Sequence, residues 1–196
     1  MQRREPVSDG THPFEAVVLQ HLPAAYNLAR WLLRDQQHAE DAVQEACLRA
    51  LRFYRDLRGE NARPWLLGIV RNTCYDWMRQ HRYRYGEVEF DEMHDGDIDA
   101  ATDRQPPGRG DPAALWEQRA LGLRVNAAIT ALPAAFREVI VLRELEEMPY
   151  QDIARIAGIP IGTVMSRLSR ARALLRDMLQ ADALVQKPER KRDAAT

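Results

Sequence analysis

The stretch PYQDIARIAGIPIGTVMSRLSRARALLR, residues 149–176, decides the fold. It predicts two helices joined by a tight turn. Gly158 suits the left-handed position that ends a helix, and Pro160 suits the start of the next helix, where a missing N–H costs nothing. Short helices that meet at a glycine-containing turn are typical of the helix-turn-helix motif.

The second of these helices carries two different faces. Apolar side chains recur at helical spacing and predict a buried stripe, formed by Val164, Leu168, Ala171 and Leu175. A second face carries hydroxyl groups, then guanidinium groups, and no acid: Thr163, Ser166, Arg167 and Arg170. Arginine in the major groove can bridge guanine O6 and N7 or hold phosphates. The face therefore predicts duplex DNA binding, and the alternative is an ordinary solvated helix surface.

Charge is distributed unevenly along the 196 residues, whose formal net charge is −1. Segment 86–112 has a charge of −7, from nine acids and two arginines, so the remainder of the chain is +6. The segment also contains adjacent prolines, four glycines and little periodicity, which predicts a flexible linker. Two mildly basic parts would thus be joined by an acidic linker that can compete with DNA for the basic faces.

The part before the linker predicts three main helical segments. The first spans about 13–33 and should be kinked or divided at Pro23; the second spans about 38–54, and the third begins at Pro64 and ends near Arg84. One side of the second segment is polar and acidic but includes an apolar residue: Asp41, Gln44, Glu45 and Leu48. A solvated surface is the alternative for this face, but an apolar residue among acids indicates a docking surface.

The third segment predicts a buried stripe that includes Leu66, Val70 and Trp77. Its other face mixes cations with an aromatic ring: Arg71, Asn72, Tyr75, Arg79 and Arg82. Interleaved arginine and aromatic side chains suit single-stranded nucleic acid, because bases stack on the rings while phosphates meet the cations. Packing of Tyr75 in the core is the open alternative.

Together these patterns predict an all-α chain: two small helical domains joined by a flexible acidic linker, the C-terminal one containing a helix-turn-helix. A helix from Pro112 to Leu132 and another from 134 to 147 precede the motif. The predicted boundaries are a flexible N-terminus at 1–11, a domain at 12–85, the linker at 86–112, a domain at 113–184 and a flexible tail at 185–196.

No motif for phosphate loops, dinucleotide binding, serine hydrolysis or zinc proteolysis occurs, and the five histidines lack metal-ligand spacing. We therefore expect no catalysis, cofactor or metal. Cys47 and Cys74 lie in apolar helical patterns and are expected to be buried, reduced thiols. Reduced thiols in turn indicate a cytoplasmic protein. No apolar run is long enough to cross a membrane, and the N-terminal residues are not expected to form a signal peptide, because no apolar stretch follows their charged start.

With both halves assigned, the chain resembles the extracytoplasmic-function sigma factors of bacterial RNA polymerase. Three stretches carry the resemblance, in order: AEDAVQEACLRAL at 39–51, ARPWLLGIVRNTCYDWMRQHR at 62–82, and 132–176, which includes the helix-turn-helix. Two residues depart from many relatives: Met165 stands where they have lysine, and Glu147 where they have glycine.

The resemblance implies a role for each face. The acidic face with Leu48 would dock on the clamp of the polymerase β′ subunit, and the β subunit would be a further contact. Asn61 and Arg63 in the loop 57–63, with Arg71, Asn72, Tyr75 and Arg79, would bind the melted −10 element. The face with Arg167 and Arg170 would bind the −35 duplex. An anti-sigma factor is an expected partner.

Two other functions are compatible with parts of the sequence. A dimeric helix-turn-helix regulator would act on a palindromic site without being a polymerase subunit. A nucleic-acid-processing enzyme would need a nucleophile or metal site, which the sequence does not offer.

Overall fold

In a computed structural model, the protein is described at residues 13–54, 57, 61–85 and 112–185. All regular secondary structure in these ranges is helical, as predicted. The chain divides into two compact units, one built mainly on the helices before residue 86 and the other on those from 112 onward. The predicted N-terminal segment 1–11, linker residues 86–111 and tail residues 186–196 lie outside the described residues.

The first unit contains α1 (Pro13–Leu19), α2 (Leu22–Leu33), α3 (Gln36–Phe53) and α4 (Ala62–Tyr85). As predicted, the pattern around Pro23 is divided, and Pro23 lies in the first turn of α2, where a missing N–H does no harm. Arg34 ends α2 in the left-handed conformation. Asp35 then caps α3, since its carboxylate accepts a 2.7 Å hydrogen bond from the His38 N–H.

The core of this unit is formed where α2, α3 and α4 pack against one another. The small side chains on the inner face of α3 allow close packing of neighbouring helices, and they are Ala39, Ala42, Ala46 and Ala50. Leu28 and Leu32 of α2 and Leu66 and Val70 of α4 fill the remaining space. The expectation that Pro64 opens α4 was wrong by two residues: the helix begins at Ala62, and Pro64 is accommodated in its first turn.

From residue 112 onward the chain forms α5 (Pro112–Ala131), α6 (Ala134–Ile140), a π-helical turn (Val141–Leu145), α7 (Tyr150–Ala157) and α8 (Ile161–Val185). Pro133 separates α5 from α6, as expected. The single helix predicted from 134 to 147 instead ends in the π-helical turn. Its C-terminus is closed by hydrogen bonds from the Glu146 N–H to the Val141 carbonyl (3.0 Å) and from the Met148 N–H to the Leu142 carbonyl (2.9 Å).

The helix-turn-helix is present where the sequence predicts it. Gly158 adopts a φ of 65°, the left-handed conformation expected of a glycine that ends a helix. Pro160 is the residue before α8 rather than its first residue, and its carbonyl accepts from the N–H groups of Thr163 and Val164. Val164, Leu168 and Ala171 are buried as predicted, whereas Leu175 is half-buried.

Candidate nucleic-acid interface

The helix α8 presents the predicted hydroxyl and guanidinium groups on one exposed face. Ser166 and Arg170 are exposed, while Thr163 and Arg167 are half-buried. The Ser166 hydroxyl donates a 3.1 Å hydrogen bond to the Thr163 carbonyl, which leaves its lone pairs available as acceptors. Thr163 lies three and four positions before Ser166 and Arg167, and these lie four and three positions before Arg170, so the four side chains form one group along the first three turns of α8.

A second arginine set fixes α8 to the preceding turn. The Arg172 guanidinium donates to one carboxylate oxygen of Glu144 from Nε (3.1 Å) and from Nη2 (2.6 Å). Arg143 donates to the Met148 carbonyl (3.0 Å) and lies over the Tyr150 ring, 5.1 Å from its centroid. These contacts hold the segment that leads into the helix-turn-helix, and Arg172 points away from the Arg167 face. Arg172 was not singled out from the sequence, because its partner Glu144 lies 28 residues away in the chain.

Most residues of the predicted single-strand surface lie on the helix α4. The Arg71 guanidinium lies 4.3 Å from the centroid of the Tyr75 ring and donates a 3.2 Å hydrogen bond to the Asn72 carboxamide oxygen. Arg79 lies one further turn along and is exposed. Tyr75 is half-buried beneath Arg71, so its ring belongs to this surface and not to the inner core. The side chain of Arg82 lies outside the described residues.

Asn61 and Arg63 lie apart from the Arg71 group, at the start of α4. The Asn61 carboxamide oxygen accepts from the Arg63 N–H (3.2 Å), so Asn61 caps the helix end. Arg63 and Arg71 are eight residues apart, which is roughly 12 Å along the helix axis. Of the loop 57–63, residues 58–60 lie outside the described residues. Arg63 also acts on His21, whose pKa is lowered by burial and then by the Arg63 charge.

Trp77 occupies a more polar setting than its predicted place in the core stripe. It is half-buried, its ring stacks on His81 with centroids 3.6 Å apart, and the His38 ring lies 4.2 Å away on α3. The physical reason is its position near the C-terminal end of α4, where the neighbours are imidazole rings. Sequence periodicity cannot distinguish this environment from an aliphatic core.

The predicted docking face on α3 is exposed throughout, including Asp41, Gln44 and Glu45. Leu48 is 56% exposed, which confirms an apolar residue among acids. Leu51 is 50% exposed and continues the same stripe at helical spacing from Gln44 and Leu48. Leu51 was not predicted from the sequence, although its spacing from Leu48 is the signal that would have found it.

Ion pairs connect α3 to α4. Arg49 donates to Glu45 from Nε (2.9 Å) and to Asp76 Oδ2 from Nη1 (3.0 Å), while Arg79 donates to Asp76 Oδ1. The pKa of Asp76 is lowered, chiefly by the hydrogen bond from Arg49 and further by Arg79. Neither Arg49 nor Asp76 was singled out from the sequence, because they are 27 residues apart in the chain.

The described ranges contain no cluster of three histidine, cysteine or acidic residues able to hold a metal ion. Within those ranges no helix meets the length and hydropathy needed to cross a membrane. Both cysteines are free thiols: Cys74 is buried as expected, whereas Cys47 is only half-buried, and burial raises its pKa.

Comparisons with known proteins match both units. The family model of Sigma-70 region 2 matches residues 17–84, and that of Sigma-70 region 4 matches residues 122–175. The RNA polymerase sigma-H factor of Pseudomonas aeruginosa is 34% identical over 172 residues, which cover 85% of this chain and 86% of that protein. The ECF RNA polymerase sigma factor SigE of Mycolicibacterium smegmatis is 31% identical over 166 residues, and the chain spans 61% of its length.

Two similar solved structures are complexes with a second protein, which in the first of them is an anti-sigma factor. One is the sigma factor RpoE in complex with NepR from Bartonella quintana, with a TM-score of 0.64 and 29% identity over 86% of this chain and 98% of that chain. The other is CnrH in complex with the cytosolic domain of CnrY, with a TM-score of 0.59 and 25% identity over 86% and 88% of the two chains.

Proposed function

This chain belongs to the extracytoplasmic-function sigma factors of bacterial RNA polymerase, the family that directs promoter-specific transcription initiation, and we propose how its surfaces divide that work. The second unit would read the −35 duplex, the first would hold the melted −10 strand, and α3 would dock on core polymerase. The observation that carries the proposal is the separation of three exposed faces of different chemistry on α3, α4 and α8.

For the −35 element, the hydroxyl groups at the start of α8 suit phosphates and base edges at short range. Arg167 and Arg170 have the reach to bridge guanine O6 and N7 or to hold phosphates deeper along the groove. Arg172 is engaged by Glu144 and would serve to orient α8 instead of contacting DNA.

For the −10 element, α4 offers a ring and two cations along one side. A flipped or unstacked base can lie against Tyr75, while Arg71 and Arg79 meet the phosphates of the non-template strand. The Arg71 guanidinium covers the Tyr75 ring in the free protein. An incoming base would displace this guanidinium from the ring, so the ring is covered both before and after the strand binds. Asn61 and Arg63 would act at a separate position, at the other end of α4.

For core polymerase, the acidic groups of α3 would meet cations of the β′ clamp, and Leu48 and Leu51 would enter an apolar contact between them. An exposed leucine gains about 1.5–3 kcal/mol when it is fully buried, which makes such a residue an effective anchor. The complexes with NepR and CnrY support an anti-sigma factor as a further partner of this chain. We place its activity in the cytoplasm, with the polymerase.

The chain length between the units is compatible with both elements being bound at once. The −10 and −35 elements lie about two DNA turns apart, roughly 70 Å, and a segment of the length of 86–111 can reach up to about 90 Å. The dimeric regulator considered from the sequence is not favoured, because the region 2 match covers the half of the chain that would have to be the dimerisation module.

In vitro transcription tests the proposal. Purified core polymerase, this protein and a library of genomic promoter fragments should give discrete transcripts that require the protein. The double variant Arg167→Ala, Arg170→Ala should reduce them at least tenfold, because each base or phosphate contact contributes about 1–3 kcal/mol.

The matched control is Arg176→Ala, which removes an exposed arginine from the same helix but from a different side. It should leave the transcripts within about twofold of wild type, as expected for a surface charge outside the interface. Equal loss in the control and in the double variant would contradict the assignment of this face, and no protein-dependent transcript would contradict the function.

A further inference from the structure

Four charged side chains form a continuous path from the α3 docking face to the α4 nucleic-acid surface. Glu45 receives the Nε–H of Arg49, Arg49 donates through Nη1 to Asp76 Oδ2, and Asp76 Oδ1 receives Arg79. We call these four residues the ion-pair path. Its first member lies on the face proposed to bind polymerase, and its last on the surface proposed to bind the −10 strand.

Asp76 is the critical member because one carboxylate serves two cations. Each carboxylate oxygen of Asp76 accepts from a different guanidinium, and Asp76 neutralises the charge of Arg79 as long as the two side chains stay paired. A phosphate that approaches Arg79 must compete with Asp76 for the same donors. Asp76 thus lowers the affinity of Arg79 for DNA whenever the carboxylate has no stronger partner.

Arg49 is divided between two acids in the same way. Its donors are shared by Glu45 on its own helix and Asp76 on α4. Glu45 is about half exposed, so a cation from another protein can reach it. If such a cation occupies Glu45, Arg49 can turn its donors to Asp76, and bidentate pairing of arginine with a carboxylate is stronger than a single bond.

We propose that the ion-pair path couples polymerase docking to −10 strand binding, with Asp76 as the positioning residue that restrains Arg79 until Glu45 is engaged. The proposal rests on the function proposed above for the α3 and α4 surfaces. Engagement of Glu45 moves Arg49 toward Asp76 and releases Arg79 to a phosphate. By linkage, a bound strand that takes Arg79 must favour polymerase docking by the same factor.

The size of the effect is bounded by the exposure of the pairs. Arg79 is largely exposed, and Arg49 and Asp76 are each about one-third exposed. Exposed ion pairs are individually weak, so the expected changes in DNA affinity are about two- to fivefold and shrink as salt is raised.

The first experiment measures binding of a labelled single-stranded oligonucleotide of about 15 nucleotides to the full chain at low salt, by fluorescence anisotropy. Asp76→Asn should tighten binding about three- to fivefold, and Glu45→Gln about twofold. The double variant should bind no more tightly than Asp76→Asn alone, because Glu45 acts only through Asp76. Arg79→Ala should abolish both gains.

The matched control is Glu40→Gln, which also removes a negative charge from the exposed surface of α3 but lies outside the path. It should leave binding almost unchanged. Gains in Glu45→Gln and Asp76→Asn that multiply in the double variant would overturn the coupling, because independent charges act additively in free energy. A gain in Glu40→Gln equal to that in Glu45→Gln would also overturn it.

A second experiment needs no DNA and separates this proposal from the proposed function. Rotation of the Arg79 guanidinium about its Nε–Cζ bond, followed by nitrogen-15 NMR, is slowed when Asp76 holds it. Glu45→Gln should speed this rotation and Glu40→Gln should not; unchanged rotation in Glu45→Gln overturns the coupling. A different outcome is that Glu45→Gln speeds the rotation of Arg79, but Arg71→Ala and Arg79→Ala leave transcription at the wild-type level. In that case the proposed −10 role of α4 fails, and the coupling between Glu45 and Arg79 stands.

Discussion

At the scale of single residues, Glu147 shows how one departure from related sequences is tolerated. Its φ is 54°, in the left-handed region that glycine adopts freely and other residues adopt at a cost of roughly 1–2 kcal/mol. The turn that it ends is held by buried neighbours on both sides, Glu146 and Met148. The glycine that the family resemblance leads us to expect at this position would therefore answer a backbone requirement and not a side-chain contact.

Glu147→Gly should raise the free energy of unfolding by about 0.5–1 kcal/mol, since the relief of strain is partly offset by the greater freedom of glycine in the unfolded chain. Urea denaturation followed by circular dichroism measures the change. Gln151→Gly, at an exposed position of α7, is the control and should lower stability by about the same amount. Destabilisation in both variants would show that the left-handed turn carries no strain.

His21 makes stability depend on pH. Its pKa is lowered in the folded protein, first by burial and then by the Arg63 charge, so the folded chain binds protons less readily than the unfolded one. Stability should therefore fall as pH drops below about 6.5, the unfolded value, until the lowered folded pKa is reached. His21→Gln should show a smaller loss of stability between neutral and mildly acidic pH.

Arg63→Gln is the companion variant for this prediction, because it removes the second cause and keeps the first. NMR titration should find the His21 pKa higher in Arg63→Gln than in wild type, though still below that of an unfolded reference peptide. A wild-type His21 pKa equal to the reference would refute the expected pH dependence.

At the scale of elements, the helices follow from apolar periodicity, and their ends follow from capping residues such as Asp35 and Gly158. The exception is the end of α6, where the chain widens into a π-helical turn. Nothing in the local sequence distinguishes this turn from a regular helix. It forms because Met148 is buried and because two side chains of the turn make tertiary contacts. Arg143 contacts the Met148 carbonyl and the Tyr150 ring, and Glu144 accepts from Arg172.

Arg137 in α6 is a second residue whose environment the local sequence does not predict. The sequence shows an ordinary helical arginine, yet the side chain is buried and donates a 2.6 Å hydrogen bond to the Thr130 carbonyl in the last turn of α5. The cation thus satisfies a carbonyl at a helix C-terminus, where positive charge is favourable. Such a role depends on how α5 and α6 pack, and periodicity alone would have placed Arg137 at the surface.

The exposed stripe of α3 that contains Leu48 and Leu51 should anchor the protein to core polymerase. Leu48→Ala should weaken binding to core polymerase about tenfold, equivalent to about 1.4 kcal/mol of lost apolar burial, while the free energy of unfolding changes little because Leu48 is exposed. Surface plasmon resonance with immobilised core polymerase measures the first quantity, and urea denaturation measures the second.

Phe53→Ala is the control for this anchor, since Phe53 is 55% exposed on the same helix but off the stripe. It should leave polymerase affinity within about twofold of wild type. If both variants weaken binding equally, the contact is not confined to the stripe.

At the scale of the whole molecule, net charge sets what the free chain can bind. The formal net charge is −1, although two basic surfaces are proposed to bind nucleic acid, because segment 86–112 contributes −7. Affinity for DNA grows with the number of phosphates neutralised and falls steeply with salt. A chain of this overall charge gains little long-range attraction to a polyanion, so core polymerase would be needed to bring both surfaces to the promoter.

The isolated chain should therefore bind duplex promoter DNA weakly and lose that binding as salt is raised to physiological levels. Replacement of the nine acids in 86–111 by their amides should raise affinity at low salt by at least tenfold and steepen the salt dependence. Filter binding across a salt series measures both. Tight, salt-resistant binding by the unaltered chain would show that the acidic segment does not oppose DNA.

The sequence by itself determined the features that depend on short-range pattern: the all-α class, the helix-turn-helix with Gly158 at its turn, the exposure of Leu48 among acids, and the four residues that share one face of α8. These follow from a repeat of 3.6 residues and from the local chemistry of helix ends. Only the tertiary structure decided the π-helical turn, the burial of Arg137, and the pairs Arg49–Asp76 and Arg172–Glu144. Such features depend on contacts between residues on different elements, and their partners are chosen by packing, which no local repeat encodes.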